Sequence, residues 1–351
     1  MSREAQIQLS RMISGHFVAQ TISACVRLGI ADCLGDGALT SAELAEKLSL
    51  DAGSLERTMR ALSTSGIFDK DEEGRYSLSE IGYFLRSDVR GSQAPMAAAF
   101  ADLCHWLPWG RAADSIRTGT PSAREALGGS FWDYLARPEN QDQLERFNEA
   151  MTRSSINAAE HVVSAYDFSS HKKIVDIGGG QGLLLMRILA ANSKTRGVLF
   201  DLPQGLGPEQ EPGKELGSEI GDRMETVSGS FLESAPAGGD LYIMKHIMHD
   251  WDDSRCKIIL DNIHAAMSPD GRLLIIETVL DRIVEGSELF AHWLDLNMMV
   301  VLGGRERTLA EYQALLSGSG FRFLELIETG GHSSLLVADR ISRDIDKKHC
   351  I

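Results

Sequence analysis

The sequence predicts an α/β protein, in which a mostly parallel, doubly wound sheet follows a smaller and mostly helical N-terminal domain. From Lys172 onward, short apolar strands alternate with helical segments, which is typical of a parallel sheet with helices on both faces. The N-terminal part instead shows apolar residues at helical spacing. A length of 351 residues is enough for about two domains.

The N-terminal domain is predicted to consist of helices and one hairpin. Apolar residues at helical spacing over residues 13–33 predict one helix that packs against a partner surface. Thr40 and Glu43 form a capping-box pattern ahead of the next helix, and Asp51 predicts the N-cap of another. Residues 66–78 hold a polar turn between two short apolar runs, which predicts a hairpin. This order is that of a helix-turn-helix with a wing, so DNA binding has to be considered.

The charge of the chain argues against nucleic acid as a partner. The helix that begins after Asp51 carries Arg57 and Arg60 against Asp51 and Glu56, so it offers no basic surface to phosphates. The chain holds 35 Lys+Arg and 50 Asp+Glu, a formal net charge of −15 at pH 7. This charge repels nucleic acid and anionic membranes at long range. We therefore expect a structural or dimerising domain, with neither nucleic acid nor membrane as a partner.

We also expect a reduced, cytoplasmic protein without a structural metal ion. The five cysteines show no CxxC spacing, and their number is odd. The N-terminal segment lacks the apolar core of a signal peptide, and no apolar run is long enough to span a bilayer.

The C-terminal part is predicted to hold the sheet. Strands are predicted at residues 173–177, 197–202, 225–228, 241–245, 273–279, 321–328 and 334–339, and helices at 183–191 and 254–267. The last two strands should form an antiparallel hairpin at the edge of the sheet. Residues 100–170 are predicted to be helical and rich in aromatic side chains, and a Gly-, Pro- and Glu-rich stretch at 205–217 predicts a surface loop or a frayed helix.

A glycine-rich turn follows the first strand of the predicted sheet. Gly178, Gly180 and Gly182 let the backbone turn tightly and approach a ligand, and the next helix offers free N–H groups. Asp201 ends the following strand, where a carboxylate can accept hydrogen bonds from both hydroxyls of a ribose; a solvated strand end is the simpler alternative. The GxGxG spacing differs from the GxGxxG of dinucleotide sites. The unit predicts a site for a nucleoside cofactor.

Four motifs, VDIGGGQG, FDLP, KHIMHDWDD and GGRERT, resemble those of the S-adenosylmethionine-dependent small-molecule O-methyltransferase family. The family includes the plant caffeic acid and acetylserotonin type and a bacterial branch that modifies polyketides, anthracyclines, mitomycins and phenazines. The resemblance implies a winged-helix-like dimerisation domain at residues 1–112, hence a homodimer. It implies a Rossmann-like methyltransferase domain of class I at 113–351, with a helical substrate-lining segment at 113–170 and a core at 171–340. The expected cofactor is S-adenosylmethionine, with S-adenosylhomocysteine as its product and no metal ion.

His249, Glu277 and Glu306 are the predicted catalytic residues. His249 follows the fourth strand of the sheet and Glu277 ends the fifth, so neighbouring strands should bring these two side chains together. A phenol, with a pKa of about 10, is a poor nucleophile, and an imidazole with a pKa of about 6.5 can take its proton as the methyl group transfers. A carboxylate on the other ring nitrogen fixes the tautomer. In the resembling family the His of the HDW motif is the base and two Glu residues bracket it, which implies these roles here.

The resemblance also implies which residues contact the cofactor. They are Gly178, Gly180, Asp201, Leu202, Ser230, Phe231, Lys245, Ser155 and Met151. Ser230 stands where plant members typically carry an Asp, so it keeps a hydrogen-bonding group without the charge. Phe231 follows as the apolar residue that packs on adenine.

The methyl acceptor is expected between the two domains, as a small aromatic or polycyclic molecule of secondary metabolism that carries a phenolic or enolic hydroxyl. The candidate contacts combine aromatic rings, polar groups and adaptable thioethers: Trp106, Trp109, Phe147, Met151, Asp295, Asn297, Met298 and Met299. Packing in the core is the simpler explanation for each ring and thioether.

Alternatives stay open at this point. His246 and His249 lie three residues apart with Asp residues after them, so a helical segment could hold a metal ion. The helix-turn-helix allows a ligand-sensing transcriptional regulator, which would not need His249 with Glu277 and Glu306. A nicotinamide dehydrogenase is disfavoured by the GxGxG spacing. A few members of the resembling family carry out cofactor-assisted hydroxylation or decarboxylation instead.

Overall fold

A computed structural model describes residues 2–206, 218–283 and 288–342. The chain divides into two compact units, Met1–Trp106 with Glu139–Arg153 and Leu107–Pro138 with Ser154–Ile351. The predicted division into functional domains at residue 112 stays a prediction. Most of the loop predicted at 205–217 lies outside the described residues.

The first unit is mostly helical. Its elements are α1 (Arg3–Ile13), α2 (Gly15–Arg27), α3 (Ile30–Leu34), α4 (Ser41–Leu48), α5 (Ala52–Ser63), β1 (Phe68–Lys70), β2 (Tyr76–Leu78), a 3₁₀ turn (Gly82–Leu85), α6 (Ala94–Phe100) and the start of α7 (Leu103–Trp109). The single helix predicted over 13–33 is wrong. Gly29 adopts a φ of 68° between α2 and α3, a left-handed conformation that glycine reaches without strain and that ends the helix.

The predicted caps and hairpin of the first unit are confirmed. The Thr40 side chain accepts from the Glu43 N–H, and Glu43 accepts from the Thr40 N–H in return, so α4 begins with a capping box. Asp51 caps α5 through the Ser54 N–H. β1 pairs antiparallel with β2. The buried side chains beneath these elements include Ile30, Leu44, Leu55, Met59, Leu62, Phe68 and Tyr76.

The second unit contains the sheet. Its elements are α8 (Ala112–Thr118), α9 (Ala123–Leu127), α10 (Phe131–Leu135), the end of α11 (Gln141–Ala165), β3 (Lys173–Ile177), α12 (Leu183–Ala191), β4 (Arg196–Asp201), α13 (Pro203–Leu206), α14 (Ser218–Gly221), β5 (Met224–Ser228), β6 (Leu241–Lys245), a 3₁₀ turn (Met248–Asp250), α15 (Asp253–Ala266), β7 (Arg272–Glu277), α16 (Glu288–Asn297), a π-helical turn (Met298–Leu302), α17 (Leu309–Gly318), β8 (Phe321–Glu328) and β9 (Ser334–Arg340). Among the described helices, none is both long enough and apolar enough to cross a membrane.

The sheet has the order β5-β4-β3-β6-β7-β9-β8. β5, β4, β3, β6 and β7 run parallel, whereas β9 pairs antiparallel with both β7 and β8. The predicted fold class is therefore confirmed. Because the carboxyl ends of parallel strands lie along one edge, the segments that follow β3, β4, β6 and β7 meet there.

Both faces of the sheet are buried, which fixes the strands whose carboxyl ends form the edge described above. Alternate residues of β3 point to opposite sides, so Val175 packs in one core and Ile174 in the other. The first core also contains Ile259 of α15 and Leu316 of α17, and the second contains Leu185 of α12. Near-continuous apolar strands are what a sheet covered on two faces requires.

Candidate active site

The glycine turn after β3 leaves its backbone uncovered. Gly178 has a φ of 67°, and a Cβ at this position would lie 2.3 Å from Ile247 Cδ1. Gly180 has a φ of 57° and open space around it, and its N–H donates to Asp201 Oδ2 at 2.8 Å. Only glycine fits position 178, because both the conformation and the contact exclude a side chain. The turn therefore presents backbone to any ligand at this edge.

Asp201 holds the turn in place. Its Oδ1 accepts from the Leu202 N–H at 2.7 Å while Oδ2 binds the glycine turn. Burial raises the pKa of Asp201, and these two N–H groups act against that rise. Asp201 is thus an anchored carboxylate at the end of β4 and not a solvated strand end.

Two further charged groups lie beneath the same edge. Asp176 of β3 is 2% exposed, and its Oδ2 has no hydrogen-bond partner among the described residues. Burial raises the pKa of Asp176 to about 7, with the charge of Lys245 acting in the opposite direction. Burial also lowers the pKa of Lys245, which Glu277 and Asp176 oppose. A buried carboxyl oxygen without a partner is costly, so this edge is suited to receive a polar ligand.

The segment after β5 supplies an aromatic ring to this edge. Phe231 packs edge-on against Trp251, with ring centroids 6.0 Å apart, and its ring also approaches Gly178. Ser230 accepts from the Leu232 N–H at 3.3 Å. The predicted residues Gly178, Gly180, Asp201, Leu202, Ser230, Phe231 and Lys245 all follow or end strands at this one edge.

His249 lies within a buried ring of carboxyl groups. It belongs to the 3₁₀ turn after β6, and its Nδ1 lies 2.7 Å from Glu306 Oε1. The same nitrogen is 3.7 Å from Glu277 Oε2, and Nε2 is 3.4 Å from Asp250 Oδ1. His249 is 6% exposed, Glu306 2% and Glu277 0%. The structure thus brings together the three residues predicted to be catalytic.

Glu277 binds the backbone that carries His249. Its Oε1 accepts from the N–H groups of Ile247, Met248 and His249, at 3.0, 2.8 and 3.4 Å. This oxygen therefore orders the turn, while Oε2 faces the imidazole without a hydrogen-bond partner in the described part of the chain. Neighbouring strands β6 and β7 create this contact, as the sequence predicted.

Glu306 reaches His249 because the loop before α17 comes unusually close to the turn. A Cβ on Gly304 would lie 1.9 Å from the carbonyl oxygen of His249, so only glycine allows the approach. The Glu306 N–H donates to Asp295 Oδ1 of α16 at 2.9 Å. Thr308 and Glu311 form the predicted capping box of α17 just beyond the loop.

The charges in this cluster control its protonation. Burial alone would lower the pKa of His249, but the charges of Glu277, Glu306 and Asp250 and the Glu306 hydrogen bond raise it to about 10. Burial raises the pKa of Glu277 to about 7, and the positive charge of His249 opposes that rise. Burial likewise raises the pKa of Asp250 to about 6. At neutral pH the cluster therefore holds an imidazolium among several carboxyl groups.

A metal ion is the other species that such a cluster could bind. His249, Glu277 and Glu306 each offer one ligand atom within 4.8 Å of the others. The set suggested by sequence does not assemble, because His246 Nε2 lies 2.7 Å from Ser333 Oγ and Asp252 caps α15. The 2.7 Å separation of His249 Nδ1 and Glu306 Oε1 is that of a charge-assisted hydrogen bond, which needs no ion.

The remaining predicted contacts fall in both units. Trp106, Phe147 and Met151 belong to the first unit, and Ser155 on α11 belongs to the second. In the second unit Trp109 Nε1 donates to Asn297 Oδ1 at 2.8 Å, so these two predicted acceptor contacts do meet. Asp295 binds the Glu306 backbone, Met298 is buried and Met299 is half-buried.

Sequence reasoning missed Arg307 and Tyr312. Arg307 is fully buried and donates to the backbone of the turn that holds His249. Tyr312 of α17 is also fully buried, and its hydroxyl has no hydrogen-bond partner among the described residues. The sequence feature that could have indicated a role for Arg307 is its place directly after Glu306 within the GGRERT motif.

Comparison with known proteins agrees with this fold and shows the family of the chain. The family model described as the O-methyltransferase domain matches residues 109–322, and that of the O-methyltransferase dimerisation domain matches residues 10–88. The fold is that of the class I methyltransferases, and the matching family is one of enzymes. The chain belongs to the S-adenosylmethionine-dependent O-methyltransferase family, which confirms the predicted resemblance and cofactor.

The curated relatives span almost the whole chain. The phenazine O-methyltransferase PhzM of Lysobacter antibioticus is 38% identical over 332 residues, which cover 94% of this chain and 95% of the relative. The mitomycin biosynthesis 6-O-methyltransferase of Streptomyces lavendulae is 37% identical over 321 residues, covering 91% and 89%. The phenazine-1-carboxylate N-methyltransferase of Pseudomonas aeruginosa is 31% identical over 333 residues, covering 95% and 96%.

Solved structures share the fold. The crystal structure of LaPhzM has a TM-score of 0.87 at 36% identity and covers 97% of this chain and 100% of its own. The structure of NcsB1, an O-methyltransferase of neocarzinostatin biosynthesis, contains S-adenosylmethionine and 2-hydroxy-5-methyl naphthoic acid. Its TM-score is 0.78 at 28% identity, with 92% of this chain and 96% of its own covered. These findings support a methyltransferase and not a transcriptional regulator or a dehydrogenase.

Proposed function

We propose that the chain methylates a phenolic or enolic hydroxyl of an aromatic or polycyclic small molecule, with His249 as the general base. The observation that carries the proposal is the 2.7 Å hydrogen bond from Nδ1 to Glu306, because it leaves Nε2 for the proton of the acceptor. A carboxylate on Nδ1 fixes the tautomer and stabilises the imidazolium that forms.

The pKa of His249 suits a phenol. Against its burial, the charges of Glu277, Glu306 and Asp250 raise it to about 10, close to the ordinary pKa of a phenol of about 10, so the imidazole is a strong enough base to take a phenolic proton. With this pKa, His249 is an imidazolium at neutral pH. Its Nε2 proton must therefore leave to solvent before His249 can take the proton of the acceptor, and that transfer leaves a phenolate oxygen beside an imidazolium.

The two glutamates have different tasks in this proposal. Glu306 binds the ring of His249, whereas Glu277 binds three N–H groups of the turn and so fixes where the ring lies. Asp250 Oδ1 is 3.4 Å from Nε2 of His249. The acceptor hydroxyl must therefore compete with Asp250 for contact with this nitrogen. We assign catalysis to His249 and Glu306, with Glu277 holding the turn.

The edge of the sheet fits the cofactor. A glycine-rich turn, an anchored carboxylate and an aromatic ring are features that suit a nucleoside. Asp176 Oδ2, which has no hydrogen-bond partner among the described residues, lies within the influence of the Lys245 charge and suits the charged end of a ligand. S-adenosylmethionine supplies its methyl group from a sulfonium, so the acceptor oxygen needs only deprotonation and alignment. We propose Gly178, Gly180, Asp201, Leu202, Ser230, Phe231 and Lys245 as its contacts, with Ser155 and Met151 from α11.

We further propose a flat aromatic acceptor. The relatives named above include a phenazine O-methyltransferase and a 6-O-methyltransferase of mitomycin biosynthesis, and the structure of NcsB1 contains a naphthoic acid. The proposed acceptor contacts are Trp106, Trp109, Phe147, Asp295, Asn297, Met298 and Met299. One relative is an N-methyltransferase, but a hydroxyl requires the removal of a proton, and the carboxylate-bound imidazole of His249 provides for it.

The oligomer and the location are part of the same proposal. Residues 10–88 match the dimerisation domain, which supports a homodimer through the first unit. The acidity of the chain and the free cysteines Cys25, Cys33, Cys104 and Cys256 support a cytoplasmic enzyme without nucleic acid or membrane partners.

The test is methyl transfer from labelled S-adenosylmethionine to a panel of phenols, hydroxylated phenazines and naphthoates, with the matching aromatic amines beside them. We expect label in the hydroxylated compounds, and His249→Ala should lower the rate by about 10²–10⁴-fold. His171→Asn is the control, since His171 follows α11 and precedes β3, at the opposite edge of the sheet from His249.

Three outcomes would contradict the proposal. They are full activity of His249→Ala, failure of the wild type to bind the cofactor, and label found only in the amines. Dialysis against EDTA should leave the rate unchanged. A loss of activity that Zn²⁺ or Mg²⁺ restores would favour the metal reading of His249, Glu277 and Glu306 instead.

A further inference from the structure

A buried arginine lies directly behind the catalytic cluster. The side chain of Arg307 is 0% exposed, although arginine is rarely fully buried without partners for its charge. Its Nη2 and Nε donate to Asp253 Oδ1 at 2.8 and 3.1 Å. Asp253 is the first residue of α15 and is half exposed, so this ion pair does not by itself explain why the guanidinium lies inside.

The other bonds of Arg307 reach the turn that carries His249. Its Nη1 donates to the carbonyl oxygen of Met248, and its Nη2 to that of Trp251, each at 2.8 Å. These carbonyls flank His249 on both sides. The same carbonyls also accept weaker bonds: the Cys256 S–H points at them at 3.2 and 3.6 Å, and the Trp251 N–H donates to the Met248 oxygen at 3.3 Å. A planar guanidinium with five N–H groups can satisfy two carbonyls and a carboxylate at once.

The backbone of Arg307 is fixed as well. Its carbonyl oxygen accepts from the Leu280 N–H at 3.0 Å, and residue 307 forms a parallel bridge with Val279. Val279 comes two residues after Glu277. The residue after Glu306 is therefore tied to the end of β7 by its backbone and to the His249 turn by its side chain.

We propose that Arg307 is a positioning residue that sets the contact between His249 and Glu306. Glu306 accepts a hydrogen bond from the imidazole ring of His249. Arg307, the next residue in the chain, donates to backbone carbonyls on either side of His249. The two contacts are linked by a single peptide bond, so the turn and the loop keep one spacing. This inference rests on the proposed role of His249 as the base.

The same loop offers a matched control. Arg305 also binds Asp253, at 2.9 Å through Oδ2, and it binds Glu311 at 2.9 Å. Its side chain is 45% exposed, and within the described ranges its hydrogen bonds go to Asp253 and Glu311, away from the Met248 and Trp251 carbonyls. Arg305→Lys therefore perturbs the loop and the ion pair with Asp253. It leaves in place the hydrogen bonds from Arg307 to the Met248 and Trp251 carbonyls.

The experiment compares Arg307→Lys with Arg305→Lys. A lysine keeps the charge but cannot reach both carbonyls and the carboxylate in one plane. We expect Arg307→Lys to lower kcat by at least about 100-fold, with the dissociation constant for S-adenosylmethionine changed less than threefold. The rise of kcat/KM with pH should move to lower pH, because His249 loses part of its contact with Glu306. Arg305→Lys should stay within about threefold of the wild type in all three quantities.

A wild-type pH profile and kcat in folded Arg307→Lys would overturn the proposal. So would a loss of activity that only follows the unfolded fraction measured by circular dichroism. If Arg307→Lys does not fold, Asp253→Asn is the second variant. It weakens the ion pair between Asp253 and the Arg307 guanidinium and leaves the hydrogen bonds from Arg307 to the Met248 and Trp251 carbonyls. It should then give a smaller loss of kcat with the same direction of pH shift, and an unshifted profile would again overturn the proposal. Failure of His249 as the base would appear separately, as activity in His249→Ala.

Discussion

Replacement of Glu306 by Gln tests how the carboxylates set the basicity of His249. The substitution keeps the side-chain shape and removes the charge that lies 2.7 Å from Nδ1. Glu277 and Asp250 remain, at 3.7 and 3.4 Å from the two ring nitrogens. The variant thus removes the nearest of three carboxylates and leaves the others in place.

The distances set the size of the effect. An opposite charge this close to a buried group moves its pKa by about 1–3 pH units, which corresponds to about 1.4–4 kcal/mol. The carboxylates together hold the pKa of His249 at about 10 against its burial. Glu306→Gln should therefore lower that pKa by about 1–3 pH units. Glu277→Gln is the comparison: it should lower the pKa less and thermal stability more, because Glu277 holds the backbone of the turn.

The assay is kcat/KM for a phenolic acceptor across the pH range. In the wild type kcat/KM should rise with pH, since free His249 must lose its proton before it can take one from the acceptor. Glu306→Gln should move the inflection to lower pH by about 1–3 units and reduce kcat by about 10²–10⁴-fold, because the tautomer is no longer fixed. A second acceptor with a more acidic hydroxyl separates ionisation of the acceptor from that of His249. An inflection that stays in place in Glu306→Gln, with normal cofactor binding, would refute the reasoning.

Further substitutions and conditions test the remaining parts of the site. Gly304→Ala should abolish methyl transfer, because its Cβ would lie 1.9 Å from the His249 carbonyl oxygen; activity within twofold of the wild type would contradict that close approach. Gly178→Ala should weaken cofactor binding at least about tenfold in calorimetry, since its Cβ would lie 2.3 Å from Ile247 Cδ1, and unchanged affinity would argue against a site at this turn. Asp201→Asn should also weaken cofactor binding, by about 1–3 kcal/mol, and an unaffected dissociation constant would remove Asp201 from the site. The free energy of unfolding should fall between about pH 7 and 10, by up to about 1.4 kcal/mol per pH unit, because His249 keeps its proton up to about pH 10 when folded but only to about 6.5 when unfolded. His249→Asn should flatten that slope in urea titrations, and an equally steep slope would show that another group is responsible.

The elements of the sheet could be predicted because their signals are local. Continuous apolar runs mark β3 and β6, and a Thr or Asp directly before a helical pattern marks a cap at Thr40, Asp51 and Thr308. The predicted helix over 13–33 failed where one glycine outweighed the periodic pattern. Gly29 adopts a positive φ, and a pattern of apolar residues does not report the backbone conformation between them.

The site could be predicted in part. Adjacent parallel strands explain why Glu277 meets the His249 turn, and this followed from the order of strands. The separate roles of the two glutamates could not be predicted from the order of strands, because they depend on which carboxyl oxygen meets which donor. Glu306 binds the imidazole ring of His249, and Glu277 binds backbone N–H groups of the turn. Arg307 also escaped prediction, since an arginine in a loop is usually exposed and only the packed structure shows that it is buried.

The rate constant of methyl transfer within a single turnover tests the central claim most directly. Wild type and His249→Asn would be mixed with saturating labelled S-adenosylmethionine and a hydroxylated aromatic acceptor that the wild type methylates, so that binding and product release do not limit the rate. The account predicts a rate at least about 10²-fold lower in His249→Asn, with cofactor affinity within threefold of the wild type. A single-turnover rate within threefold of the wild type would contradict the assignment of His249 as the base.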